Sequence, residues 1–134
     1  MRSKPVLEPA DVAKMVAAAK AEAAKHGWEV AIAVVTEGGY IAHVERLGNF
    51  EGMNGEIAVA KARGAALTKR TSKEWEDRLK ERIGFLNFPN VLPIQGGLPI
   101  EYDGHCVGGI GVSGRPSHED EIVARAALAA LTSD

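Results

Sequence analysis

Across residues 8–26, apolar side chains return every three or four positions, at Val12, Met15, Val16, Ala19 and Ala23, with Lys14, Glu22 and Lys25 between them. That spacing follows the 3.6-residue turn and predicts an amphipathic helix. Gly27 is suited to a left-handed C-terminal cap, and the pattern then changes to a Val- and Ile-rich run over 28–36 that predicts a buried strand. Glu37-Gly38-Gly39 supplies the positive backbone dihedrals of a tight hairpin, so 40–47 should return antiparallel. An Ala-, Lys-, Glu- and Arg-rich stretch predicts a second helix from about Asn54 to Lys69. Its small residues, Ala58, Ala62, Gly64, Ala65 and Ala66, allow close approach by another helix or by the sheet. Thr71-Ser72 offers a capping hydroxyl for a shorter helix in which Trp75, Leu79, Arg82 and Ile83 share a face.

Residues 87–99 hold three prolines and Gly96-Gly97, which predicts a long connection or a short edge strand. Asp103-Gly104 fits a two-residue type I′ turn between strands over 98–102 and 105–113. Residues 117–131 start with a hydroxyl and acidic residues and continue as an Ala-rich amphipathic helix. The expected fold class is α/β of the α+β type, one antiparallel sheet covered by helices in a single domain over 1–134.

Charge narrows the partners: sixteen basic against eighteen acidic residues give a net charge of -2, with no footprint for nucleic acid or an anionic membrane. One cysteine, Cys106, excludes an internal disulfide framework and suits a reducing compartment. Met1-Arg2-Ser3-Lys4-Pro5 leads into no apolar leader and no run approaches the ~20 residues of a membrane span, so the expected location is cytoplasmic.

Several short elements occur in a telling order: Ala31-Ile32-Ala33-Val34-Val35, Gly38-Gly39, Glu45-Arg46, Lys61-Ala62, Leu98-Pro99-Ile100, Asp103-Gly104, the run from Val107 to Gly114, and Glu119-Asp120-Glu121. Together they span nearly the whole chain, which thereby resembles the GlcG/HbpS-like haem-binding, or haem-degrading, family and the C-terminal domain of PduO. The resemblance implies a five-stranded antiparallel sheet similar to profilin-like folds, and self-association into dimers or octamers. It also implies ligand binding between helices and loops near subunit contacts, with haem or a place in catabolism as the functional setting. The chain departs from the family pattern at Thr36 and at Leu47-Gly48, where aspartates are usual, so no role of those aspartates carries over. Arg115 stands in place of a usual glycine and adds a cation beside a helix start, which favours an anionic ligand.

Candidate site residues follow from both readings. Arg46 ends a strand, where its guanidinium either binds a ligand carboxylate or pairs with Glu45, Glu51 or Glu56. The Lys61 ammonium would lie near an acidic ligand or a buried carboxylate, unless it is an ordinary solvated helix lysine. Glu56 points about 140° from Lys61 on an ideal helix, so the two do not pair directly. His26, His43, His105 and His118 are too scattered for a local metal motif, and no zinc site is expected. His43 or His105 could ligate haem iron, and without a Cys-x-x-Cys-His attachment motif any haem would be held non-covalently. The glycines of 108–114 lack dinucleotide or phosphate-loop spacing and suit close packing better. Ser113, Cys106 and Tyr102 lack the setting of a nucleophile. Tyr40, Phe50, Phe85 and Phe88 could wall a flat ligand, with Phe85 and Phe88 favoured because they flank the proline-rich segment.

Two functions compete. One is a homo-oligomeric small-molecule binder taking haem or a related tetrapyrrole. The other is a cofactor-independent enzyme (tautomerase, hydratase or hydrolase) in which Arg46, Lys61 and Arg115 hold a carboxylate while Glu56 or His43 moves a proton. An accessory module without a pocket of its own is the third possibility.

Overall fold

A computed structural model describes residues 1–49 and 51–131. The first helix, α1 (Pro9–His26), starts with a reciprocal cap in which Glu8 and Asp11 satisfy each other's backbone amides. It ends where Gly27 turns left-handed at φ 70°. Strands β1 (Ala31–Thr36) and β2 (Ile41–Arg46) form a hairpin in which Gly39 N–H bonds to Thr36 O and Gly39 takes φ 85°. Then come α2 (Asn54–Thr68), α3 (Ser72–Arg78) and a 3-10 turn over Ile83–Asn87. Strands β3 (Gly97–Tyr102) and β4 (His105–Ser113) form the second hairpin, and α4 (Ser117–Leu131) follows. At its turn Asp103 and Gly104 have φ 50° and 78°, the pair of positive values a type I′ turn requires.

All pairings are antiparallel and the strand order is β2-β1-β4-β3. The sheet therefore has four strands, not the five implied by the resemblance. The segment that could have supplied an edge strand carries Pro89 and Pro93, which have no N–H for a ladder. It lies instead against α2, where the bare Gly64 faces the Asn90 carbonyl and Val91 Cα. The expected third helix is also shorter than its apolar spacing suggested, because the chain leaves helical geometry before Ile83.

The sheet is covered on both faces. Ile32, Val34, Ile110 and Val112 meet Met15, Val16 and Ala19 of α1 and Val123, Ala124 and Ala127 of α4 in one fully apolar cluster. Ala31, Ala33 and Val35, alternating with these, meet Ala58, Val59, Ala62 and Ala66 of α2 on the other face. The small residues of α2 thus serve approach to the chain's own sheet.

That approach is unusually close. A Cβ placed on Gly111 would lie 2.1 Å from the Ala58 carbonyl oxygen, on Gly109 2.2 Å from that of Ala62, and on Gly97 2.4 Å from that of Lys61. Gly97 and Gly111 are direct cross-strand partners, so the three glycines make a floor on which the α2 backbone rests. Gly111→Ala should therefore cost about 3 kcal/mol or more by overpacking, since its clash is with backbone rather than a yielding side chain. Gly27→Ala meets only open space and should lose about 1 kcal/mol, from its positive φ alone. Urea unfolding of the two variants measures both, and equal losses would disprove the floor.

Candidate functional site

The candidate residues fall into four places. The first is the end of the sheet where α2 and α4 begin. Arg46 lies there at the end of β2, its stem beside Gly55 of α2. Glu29, Glu51, Asn54, Gly114 and Arg115 line a cleft of about 410 Å³ at this end. Arg115 Nε donates to Glu119 Oε1 at 2.8 Å, and its guanidinium carbon stands 5.7 Å from the Trp28 ring centre. Glu56 is exposed on the first turn of α2. Ser113 Oγ donates to Asn54 Oδ1 at 3.5 Å. The cleft combines an arginine with two glutamates and is not a basket of cations.

Lys61 is the second place. It points away from solvent at 2% exposure, and its ammonium donates to Val112 O at 2.9 Å and to Asp120 Oδ2 at 3.2 Å. Of the readings open to it, the buried carboxylate is the one realised. Asp120 is also 2% exposed and accepts the Arg115 backbone N–H on Oδ1 at 2.9 Å, so both its oxygens are used. Burial pushes the Asp120 carboxyl above its ordinary value of 3.8, with the Arg115 amide and Lys61 opposing that push. The pair joins α2 to α4, which lie on opposite faces of the sheet. Asp120 had been legible only as an acidic residue in a helix's first turn; nothing local connects it with a lysine 59 positions earlier.

His43 marks the third. It faces the α1 side of β2, opposite in sense to Arg46, because its cross-strand partner Val34 belongs to the α1/α4 cluster while Arg46 pairs with Ala31. A groove of about 660 Å³ runs here between α1 and β2, walled by Leu7, Val12, Val16 and Ala42, with His43 and Lys20 among its polar groups. His43 Nε2 lies 3.0 Å from Glu45 Oε1, and Lys20 Nζ lies 2.9 Å from Glu45 Oε2. The Lys20 ammonium first, then His43, holds the Glu45 carboxyl below its ordinary range. With Nε2–H donating to that carboxylate, the lone pair resides on Nδ1, the tautomer in which an imidazole can act as a metal ligand. Lys20 was missed by the sequence reading, although it lies one helical turn after Val16 and so flanks the buried stripe.

Phe85 and Phe88 occupy the fourth place. Their ring centres are 5.1 Å apart and lie 5.3 and 5.0 Å from that of Trp75, whose Nε1–H donates to Thr68 Oγ1 at the far end of α2. The helix puts roughly 20 Å between them and the Arg46 end. They pack against one another, with Arg78 and Arg82 beside them. Phe50 lies outside the described residues. His105 and Cys106 border a polar hollow of about 650 Å³ with Lys4, Glu37 and Lys69. Burial pushes the Cys106 thiol up, and its sulfur bonds to the Ala66 and Gly108 carbonyls, so it is a thiol rather than a nucleophile. Among the described residues no three His, Cys, Asp or Glu side chains converge as a metal site, and no helix is long and apolar enough to cross a membrane.

Residues 7–129 match the family model described as "Haem degrading protein HbpS-like". Protein GlcG of Escherichia coli K12 is 35% identical over 114 residues, 84% of this chain and 85% of that protein. The crystal structure of HbpS superposes with a TM-score of 0.89 at 32% identity, covering 98% of this chain and 94% of that one. The haem complex of PduOC superposes with a TM-score of 0.87 at 24% identity over 96% of both chains, a likeness of fold.

The Lys61–Asp120 pair generates a stability test. Lys61→Met leaves a buried carboxylate without its cation and should cost about 3–5 kcal/mol, much of which a Lys61→Met, Asp120→Leu double variant should recover. Because the folded Asp120 binds its proton more tightly than the unfolded one, its contribution to stability is greatest in acid. It is lost as pH rises from 3.8 through the raised folded value. The wild-type denaturant midpoint should therefore fall relative to that of the non-titrating Asp120→Asn variant as pH rises above 3.8; a wild-type midpoint that rises relative to the variant would contradict the assignment.

Proposed function

Since the chain belongs to the HbpS-like family of haem-degrading proteins, we propose that it binds haem or a related tetrapyrrole non-covalently in the groove between α1 and β2. The observation that carries the reading is the placing of His43 against the apolar walls of that groove. Its volume of about 660 Å³ is that of a pocket for a cofactor-sized ligand. Val12, Val16 and Leu7 offer a dry face to a flat ring system, His43 offers an imidazole nitrogen, and Lys20 offers a cation for a peripheral carboxylate. These donors fit the group.

When bound, haem supplies a redox-active iron and the absorbance that reports it. The chain's own part is to orient and to tune. Glu45 fixes the His43 tautomer through Nε2, and an imidazole so held is a better electron donor to a metal. Lys20 keeps Glu45 ionised and stands at the groove's polar rim.

The carboxylate-processing alternative asks Arg46, Lys61 and Arg115 to meet one ligand, with Glu56 or His43 as the base. Lys61 is committed to Asp120, His43 is on the other face of the sheet, and Glu29 and Glu51 in the cleft oppose an anion. The groove is the better supported site.

Titration with haemin should give a saturable Soret band at about one haem per chain. His43→Ala should shift the band and weaken binding at least about tenfold, roughly 1.4 kcal/mol. Unsaturable binding would defeat the function, and an unchanged band and affinity in the variant would defeat the site.

A further inference from the structure

One concavity is built almost wholly of charged and hydrogen-bonding groups, and haem binding in the groove makes no use of it. It is the hollow of about 650 Å³ where the N-terminal segment, the end of α2 and the β3–β4 hairpin meet. Arg2 and Lys4 come from the first, Lys69 from the second, and Glu101, Gly104 and His105 from the third. Positions 2, 69 and 105 share no sequence motif, and the fold alone brings them together.

Three features set the hollow apart from an ordinary charged surface. Lys69 closes α2 in the left-handed region at φ 59°, the conformation that Gly27 supplies at the end of α1. A side chain is strained there. The helix dipole favours a cation at this end, but a lysine one position earlier would serve it without the positive φ. Next, neither Lys69 nor Arg2 makes an ion pair among the described residues, and the half-buried His105 ring makes no hydrogen bond among them. Lastly, Glu37 at the wall registers the local field. Its hydrogen bond to Lys4 first, and Lys69 and His105 through space, hold its carboxyl below the ordinary value of 4.5, with burial opposing them.

Charge selects the ligand. Lys4 and Glu37 pair with each other, which leaves Arg2 and Lys69 against Glu101, with an imidazole that adds a positive charge when protonated. A monoanion gains little from so small an excess. A dianion gains twice as much, and a phosphate group offers three acceptor oxygens to donors arriving from separate segments. Ionised Glu101 only accepts hydrogen bonds, so the rest of the ligand must bring hydroxyl donors.

We propose that this hollow is a binding site for a small hydroxylated phosphate ester, its phosphate held by Lys69, Arg2 and His105 and a ligand hydroxyl donating to Glu101. Cys106 at the wall takes no part, since its sulfur is engaged by the Ala66 and Gly108 carbonyls. The N-terminal segment separates this site from the α1–β2 groove, facing the hollow with Arg2 and Lys4 and the groove with Leu7 and Glu8. The site stands whether or not the groove takes a tetrapyrrole.

Isothermal titration calorimetry with glycerol 3-phosphate should show saturable binding of about one molecule per chain. Inorganic phosphate, which lacks the hydroxyls, should bind at least about tenfold more weakly, and glycerol not at all. Lys69→Gly should weaken binding of glycerol 3-phosphate at least about tenfold while the chain stays folded, because glycine accepts the positive φ that lysine strains. Arg2→Ser lies outside every helix and strand, and it should weaken binding without changing the far-UV circular dichroism. Absence of saturable binding, equal affinity for inorganic phosphate, or unchanged affinity in folded Lys69→Gly and Arg2→Ser would each overturn the proposal.

Discussion

Helix α2 rests its backbone on the sheet, and the arrangement holds only because Gly97, Gly109 and Gly111 have no side chains. The carbonyl oxygens of Ala58, Lys61 and Ala62 occupy the space where three Cβ atoms would stand. At that separation the contact is between backbones, with Cα–H groups beneath carbonyls, and the helix contributes small side chains because nothing larger fits. A position set by backbone contact is a rigid one. It determines how far along the sheet α2 lies, and therefore where the Lys61 side chain emerges: at the sheet's end, beside the Val112 carbonyl and within reach of Asp120 in α4. The ion pair that ties the two helical layers together is thus a consequence of the glycine floor. It is closed on all sides, with both carboxylate oxygens and the ammonium engaged, which is the condition under which a buried pair is tolerated.

Placing a sheet between two helical layers also separates chemistry that sequence proximity seems to unite. Arg46 and His43 are three residues apart, and the period of two sends them to opposite faces. One is associated with the acid-lined cleft at the sheet's end, the other with the apolar groove under α1. A site built from both would have to pass through β2. The groove keeps an imidazole, a carboxylate and an ammonium in a short chain, Lys20 to Glu45 to His43, in which each group sets the state of the next.

Much of the fold was legible because its signals are local. Asp103-Gly104, Gly38-Gly39 and Gly27 each demand a positive φ, and each has it or provides it within the turn. The stripe of Val12, Met15, Val16, Ala19 and Ala23 is buried as its spacing requires. What was not legible depends on distant partners. Whether the small residues of α2 meet a sheet or a neighbouring helix depends on glycines some forty positions later, and those glycines read in isolation only as packing residues. Lys61 illustrates the same limit, since a solvated lysine and a sealed one share the same helix composition. The strand count failed for a different reason: it came from likeness to other chains, while the prolines at 89 and 93 decide the matter here. Phe85 and Phe88 precede the proline-rich segment, and their rings meet each other and Trp75 of the same chain.

The glycine floor also explains which surface is left over. Its three residues lie on β3 and β4, so α2 is drawn toward that half of the sheet and away from β2. On the opposite face α1 packs mainly against α4 and only lightly on β2, which opens the groove. Both layers therefore thin out at the same strand. The half of the sheet with the glycines is sealed by α2, by α3 and by the Lys61–Asp120 pair; the half without them keeps an imidazole at a groove and a strand edge turned outward. Packing density and chemical accessibility are divided along the line between β4 and β2, and small residues on one side of that line are what make the other side available.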